Sequence, residues 1–167
     1  MTRFLIFLAA LMVIAADCVY TPPIPREAAP RVYVPSGPAG SAAIRHAPVF
    51  LAHGSSADHN RIGRPTARYD ESGRERVFVD PDQPAVYTMV RHFETESGVF
   101  TNLIYRIHFQ EVPVSLVPFH LTAGKNVGLL VVVTLDAEEH PVLITTAGTC
   151  GCYAVSKGLL EAFGPER

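Results

Sequence analysis

The chain has 167 residues, of which 48% are hydrophobic and 18% are charged, with a formal net charge of −2. This composition is typical of a globular protein and excludes an intrinsically disordered one. The 14 cations and 16 anions are mixed along the chain without a basic block. The sequence therefore predicts no nucleic-acid partner, because such a partner needs a concentrated patch of positive charge.

Residues 1–18 have the layout of a secretory signal. Arg3 precedes an unbroken apolar run over 4–16, and about thirteen apolar residues are too few to span a bilayer. Three fates remain open: cleavage before Asp17, lipidation of Cys18 as in a bacterial lipoprotein, or an uncleaved anchor. Lipoproteins carry Gly, Ala or Ser where this chain has Asp17. The first two fates predict export to the periplasm or cell envelope, and the second and third predict membrane attachment through the N-terminus.

Residues 19–48 are rich in proline. Proline has no backbone N–H group to donate a hydrogen bond, and its ring fixes the φ angle. Two interpretations remain open, a tether that holds a domain away from a membrane and an irregular arm along the domain surface. We take this segment as a Pro-rich linker and place the folded domain at 49–167.

The domain is predicted to be mainly β. Candidate strands cover 86–93, 99–109, 127–135 and 142–146, and the second alternates between two faces. Its two sets of side chains are Leu103, Tyr105, Ile107 and Phe109 on one face, and Asn102, Ile104, Arg106 and His108 on the other.

Turns and one helix complete the predicted domain. The segment 80–84 is a turn, and 136–140 is a hairpin loop between the last two strands. At the C-terminus, Ser156 to Phe163 predicts a short helix with Ser156 as N-cap. The fold class is therefore a single small antiparallel sheet domain, a sandwich or a partly open barrel, with a short C-terminal helix.

A series of spaced residues runs from about residue 80 to residue 153, ending in Cys-Gly-Cys-Tyr. It consists of Asp80 and Pro84 before Tyr87, Leu103 to Tyr105 leading to His108, Phe109 and Pro113, Gly124 and Gly128 before Thr134 and Leu135, Pro141 to Leu143, and Cys150 to Tyr153, with Arg61 to Gly63 ahead. In these features the chain resembles a family of uncharacterised bacterial envelope proteins. The resemblance implies an exported β-rich module and no named activity.

Cys150 and Cys152 carry the strongest chemical signal of the mature chain. Residues two apart in an extended strand sit about 6.5–7 Å apart, at the upper limit for a disulfide. A turn at Gly151 would close a strained, labile ring. Three interpretations remain open: such a disulfide, a thiolate site for Cu(I) or Zn, and two inert buried cysteines.

Histidines extend the metal hypothesis. His92 and His108 lie on neighbouring predicted strands, and pairing across the ladder would bring their side chains within about 5 Å. With Cys150 or Cys152 they would form a mixed nitrogen and sulfur set suited to Zn or Cu. The alternative is that the histidines are isolated and make ordinary hydrogen bonds.

The polar segment containing His59 and Arg61 is a candidate binding loop, together with Tyr153 beside the cysteines. Its alternative role is to stabilise a turn. The sequence contains no complete motif of a phosphate-binding loop, a nucleophile elbow or a zinc-protease helix. The sequence therefore favours a non-catalytic binding or structural module with an unknown ligand or envelope partner. A metal- or thiol-dependent protein is the alternative.

Overall fold

The computed structural model describes residues 29–114, 123–149 and 154–158. Its nine strands are β1 (Arg31–Tyr33), β2 (Phe50–Ala52), β3 (Arg64–Tyr69), β4 (Glu75–Asp80), β5 (Tyr87–Thr95), β6 (Gly98–Val112), β7 (Gly124–Leu135), β8 (Pro141–Gly148) and β9 (Ala154–Gly158). A four-residue helix, α1 (Ala42–Arg45), and a 3-10 turn (Asp58–Asn60) lie between them. The prediction of a mainly β, antiparallel domain is confirmed. In the described part of the chain, no helix is long and apolar enough to cross a membrane.

Strands β5 to β9 form one antiparallel sheet in chain order, while β1–β2 and β3–β4 form two-stranded ribbons. The order follows from short connections, which place consecutive strands side by side. Strands β5 and β9 are the two edges of the five-stranded sheet and do not pair with each other, so this sheet is not a closed barrel. The four predicted strands correspond to β5, β6, β7 and β8, and the loop predicted at 136–140 joins the last two.

The hydrophobic core lies against one face of the five-stranded sheet. Leu103, Tyr105 and Ile107 of β6 are almost fully buried there, as the alternation in the sequence predicts. Each such side chain contributes about 1.5–3 kcal/mol to the free energy of unfolding. Members supplied by other elements are Tyr33, Phe50, Ile62, Val131, Val133 and Leu135.

The N-terminal arm is part of this core. Residues 29–48 include β1 and α1, and Tyr33 of β1 is only 9% exposed. Strand β1 pairs with β2, so the ladder crosses the boundary that we predicted at residue 49. The described two thirds of the predicted linker is therefore an arm on the domain and not a free tether, because its Tyr33 side chain is buried in the core. Residues 1–28, which include the predicted signal and Cys18, lie outside the described residues.

The predicted C-terminal helix is wrong for its described residues. Ser156 to Gly158 belong to β9, which pairs with β8. The Ser156 hydroxyl lies 2.8 Å from the Thr145 hydroxyl on β8 and does not cap a helix. An open sheet edge offers backbone partners, and this tertiary pairing outweighs a weak local helix signal. Residues 159–163 lie outside the described part.

Two glycines set how closely the strands approach each other. A Cβ atom on Gly63 would lie 2.4 Å from the Asp80 carbonyl oxygen, and one on Gly128 would lie 2.6 Å from the Ile107 carbonyl oxygen. Such distances are shorter than atomic contact allows. The Gly63 amide donates to the carbonyl oxygen of His108 at 2.9 Å, which brings β3 beside the end of β6.

Candidate functional site

The sheet face opposite the core is the candidate functional surface, and we call it the open face. It is formed by alternate residues of β5 to β9, because successive side chains of a strand point to opposite faces. The register of the ladders places Tyr87 beside Arg106, and Met89 beside Ile104. The open face is apolar for much of its area: Tyr87, Met89 and Phe93 are each 39–49% exposed. Phe93 stacks on Phe100, with ring centroids 5.6 Å apart.

A cavity of about 440 Å³ lies on the open face, near the end of the sheet where β3 approaches. We call it the His108 cavity. Its volume lies within the usual range of about 300–1,000 Å³ for small-molecule sites. Its walls are mainly apolar, and its lining residues are Pro65, Tyr87, Thr88, Met89, Ile104, Arg106, His108 and Leu130.

His108 is the most buried polar group of the cavity wall. The residue is 9% exposed, and its Nδ1 atom is buried and has no hydrogen-bond partner among the described residues. The Tyr87 ring meets the imidazole edge to face, with centroids 5.6 Å apart at 85°. Burial, with a smaller contribution from the charge of Arg106, lowers the pKa of His108 below its usual value. In a neutral imidazole, one ring nitrogen is a donor and the other an acceptor. Burying an unpaired acceptor costs less free energy than burying an unpaired N–H donor. The tautomer with its proton on Nε2, which leaves Nδ1 as the acceptor, is therefore favoured.

Arg106 supplies the positive charge. It is exposed on the open face and lines the cavity. Among the described residues, neither Arg106 nor Arg91 forms a salt bridge. The described strand residues of the open face include no Asp or Glu, so none of them neutralises these two cations.

The predicted pair of His92 and His108 is not formed. His92 stands opposite Thr101, and its Nδ1 lies 3.0 Å from the Thr101 hydroxyl. Thr101 and His108 are seven positions apart on β6, which corresponds to about 23 Å of strand. They also point to opposite faces, since an odd separation reverses the side chain. The error was one of register, which the sequence does not contain.

Arg61 holds a turn together. Its guanidinium pairs with Asp58 in the 3-10 turn and, at 2.9 Å, with Asp82 in the 80–84 turn. The hydrogen bond to Asp58 raises the pKa of Arg61 above its usual value. These contacts match the turn-stabilising interpretation of this segment.

Cys150, Cys152 and Tyr153 lie outside the described residues, so the cysteine hypotheses stay predictions. Within the described ranges, no group of three or more His, Cys, Asp or Glu side chains is arranged to hold a metal ion.

Sequence reasoning placed Ile104, Arg106 and His108 on one strand face, but it singled out His108 only as a candidate metal ligand and did not group it with Arg106 as a binding site. The sequence feature that could have indicated the site is the sequence of Ile104, Arg106 and His108, an apolar, a basic and an imidazole side chain, on the face of β6 that does not face the core. What was missing was the neighbouring strand: only the β5–β6 register brings Tyr87 and Met89 to the same place.

Comparison of the chain with protein-family models, with curated proteins and with solved structures found no match. The resemblance to an envelope protein family therefore stays a prediction.

Proposed function

We propose that this chain is an exported, non-catalytic binding module that holds an apolar carboxylate in the His108 cavity. The observation that carries the proposal is the combination of an apolar wall with Arg106 and His108 on a sheet face without described carboxylates. Such a face attracts an anion, and such a wall prefers an apolar body.

The two halves of the ligand have separate partners. The carboxylate would accept hydrogen bonds from the Arg106 guanidinium, whose parallel N–H groups match its two oxygens. The Nε2–H of neutral His108 is the second donor in this proposal. The apolar part would lie against Met89, Ile104 and Leu130, where each buried methylene contributes about 0.8 kcal/mol.

Binding is favoured over catalysis by the surroundings of His108. A catalytic imidazole is commonly oriented by a carboxylate or carbonyl that accepts from its second nitrogen. The Nδ1 atom of His108 has no such partner in the described part of the chain. Its lowered pKa fits a neutral donor at pH 7.

The location follows from residues 1–18. We propose that the leader carries the chain out of the cytosol, into the periplasm or cell envelope. The mass of the chain recovered from the cell envelope tests this. A chain that begins at Asp17 supports soluble export, and a triacylated Cys18 supports a lipid anchor. A full-length chain recovered from the cytosol would contradict export.

The ligand class is tested with decanoate and its neutral counterpart decanol, by titration calorimetry on the full chain. Decanoate should bind more tightly than decanol. Arg106→Gln should weaken decanoate binding about 10- to 100-fold, because a charge-assisted hydrogen bond contributes about 1.5–3 kcal/mol. Decanol binding should change less than about twofold.

Arg68→Gln is the matched control. Arg68 is a cation of β3 whose guanidinium lies 4.8 Å from the centre of the Phe78 ring, and it does not line the His108 cavity. Its loss should leave decanoate affinity unchanged. Equal affinities for decanoate and decanol, or equal losses in the two arginine variants, would refute the proposal.

A further inference from the structure

In the described part of the chain, strand β5 is an edge of the five-stranded sheet that no other strand covers, and its only protective features are the charges of Arg91 and Glu94. All its residues from Tyr87 to Thr95 are exposed, and the strand has neither proline nor a register shift against β6. Protective devices such as prolines and bulges are the usual means of keeping an edge from pairing with another chain. Large apolar side chains stand on both of its faces, Met89 on the open face and Val90, which is 45% exposed, on the other.

The backbone groups that point outward from β5 can be assigned. The loop between β5 and β6 has only two residues, so Thr95 and Gly98 must form a hydrogen-bonded pair. Hydrogen-bonded and non-hydrogen-bonded pairs then alternate along the ladder. It follows that Thr88, Val90 and His92 direct their N–H and C=O groups away from β6, toward a partner strand.

Registers centred on Met89, Val90, Arg91 and His92 all place outward groups against those of a second, antiparallel β5. The register on Met89 leaves Phe93 beyond the end of the partner strand, and the one on His92 sets Val90 opposite the charged Glu94, so two remain. In the first, Val90 stands opposite Val90 of the second copy, Tyr87 opposite Phe93, and Met89 opposite Arg91. In the second, Arg91 stands directly opposite Arg91. Like charges directly opposite are destabilising, whereas aromatic and β-branched pairs each contribute favourably. The strand is therefore complementary to itself in the register centred on Val90.

We propose that two copies of this chain associate through β5 in the register centred on Val90, joining their five-stranded sheets into one continuous antiparallel sheet. The two-fold axis is perpendicular to the sheet, so both open faces lie on the same side. Association needs only backbone and side-chain pairing at β5. It stands independently of the ligand proposed for the His108 cavity.

Association would also change the site. Met89 lines the His108 cavity, and in this register it faces Arg91 of the second copy. Each cavity thereby gains a neighbouring cation from the other copy. The two Arg91 side chains are diagonal neighbours, at about 7–8 Å. Their mutual repulsion keeps the pairing reversible, as expected for an interface smaller than about 1,200 Å².

The test is sedimentation velocity of the full chain at about 100 µM, a concentration suited to a weak interface, in a mild detergent that disperses the apolar leader. The wild-type chain should show a reversible monomer–dimer equilibrium. Val90→Lys sets two like charges opposite each other and should raise the dissociation constant at least tenfold. Arg91→Gln removes the diagonal repulsion and should lower it. The control is Val77→Lys on β4, an exposed valine remote from this edge, which should change nothing.

The register is tested by a charge pair. Thr88 faces His92 of the second copy in the proposed register, so Thr88→Glu with His92→Lys should tighten the dimer. In the register centred on Arg91, Thr88 faces Glu94, and Thr88→Glu alone would weaken it. A monomeric wild-type chain, equal effects of the lysines at 90 and 77, or a dimer weakened by the charge pair would each overturn the proposal.

Discussion

The Tyr105 hydroxyl donates a hydrogen bond to the carbonyl oxygen of Ala43 at 2.8 Å. Tyr105 is fully buried in the centre of β6, and Ala43 lies in the short helix α1. The bond therefore fastens the N-terminal arm to the middle of the sheet. Burial raises the pKa of Tyr105, so the phenol stays protonated and remains a donor at neutral pH.

Replacing Tyr105 by Phe should lower the free energy of unfolding by about 1 kcal/mol, the usual net value of one hydrogen bond. Amide exchange in α1 should speed up more than exchange in β7, because the arm loses its anchor. Tyr69→Phe is the control, since Tyr69 is 75% exposed. Equal exchange in α1 for both variants would show that the hydroxyl does not hold the arm.

Gly128→Ala should destabilise the fold by about 1–3 kcal/mol, the usual cost of overpacking. Its new Cβ would meet the Ile107 carbonyl oxygen at 2.6 Å, and backbone cannot move aside as a side chain can. Gly124→Ala, on the same strand with nothing within 4 Å, is the control and should be neutral or slightly stabilising. Urea denaturation of both variants measures the difference, and similar midpoints would contradict the close approach of β6 and β7.

His108 should titrate below its usual pKa of 6.5, as followed by NMR of the imidazole. Arg106→Gln should raise the pKa but leave it below 6.5, because burial is the larger cause. Arg68→Gln should leave it unchanged. Because the folded pKa is depressed, the contribution of His108 to stability is complete above pH 6.5 and is lost as pH falls toward the folded pKa. A midpoint at or above 6.5 in the wild-type chain would contradict the burial of the imidazole as the main influence on its pKa.

Asp70 should titrate near pH 2 instead of 3.8. The Ser72 hydroxyl, at 2.6 Å, is the main cause, and the Arg74 amide and the Arg76 guanidinium add to it. Since the folded pKa is depressed, this carboxylate stabilises the β3–β4 turn above about pH 3.8, and the effect is lost as pH falls toward 2.

Ser72→Ala tests this assignment. Its removal should return the pKa of Asp70 toward 3.8, as measured by NMR of the carboxyl carbon. Ser97→Ala, in the turn between β5 and β6, should have no effect on Asp70. A pKa that does not move in Ser72→Ala would assign the shift to the arginine and backbone donors.

The local sequence pattern predicted the strands well because the burial of one face of a strand shows in the alternation of its apolar and polar residues. The alternation of Leu103, Tyr105 and Ile107 with a mainly polar set of neighbours needs one buried face, and the structure provides it. For the N-terminal arm the same reasoning left two interpretations open, a tether and an arm on the domain surface, and it did not predict β1. Tyr33 is buried because β1 finds β2 as a partner, and such a long-range pairing leaves no local trace.

The amino-acid sequence by itself determined the fold class, the positions of β5 to β8, and the placing of Arg106 and His108 on one strand face. These features depend on neighbours within a few residues, where side-chain period and turn chemistry act. Only the tertiary structure decided that His92 and His108 are far apart and that Tyr87 and Met89 complete the cavity. It also decided that the arm packs on the core. Those outcomes depend on strand register, and register is set by the summed packing of distant segments, which no short stretch of sequence contains.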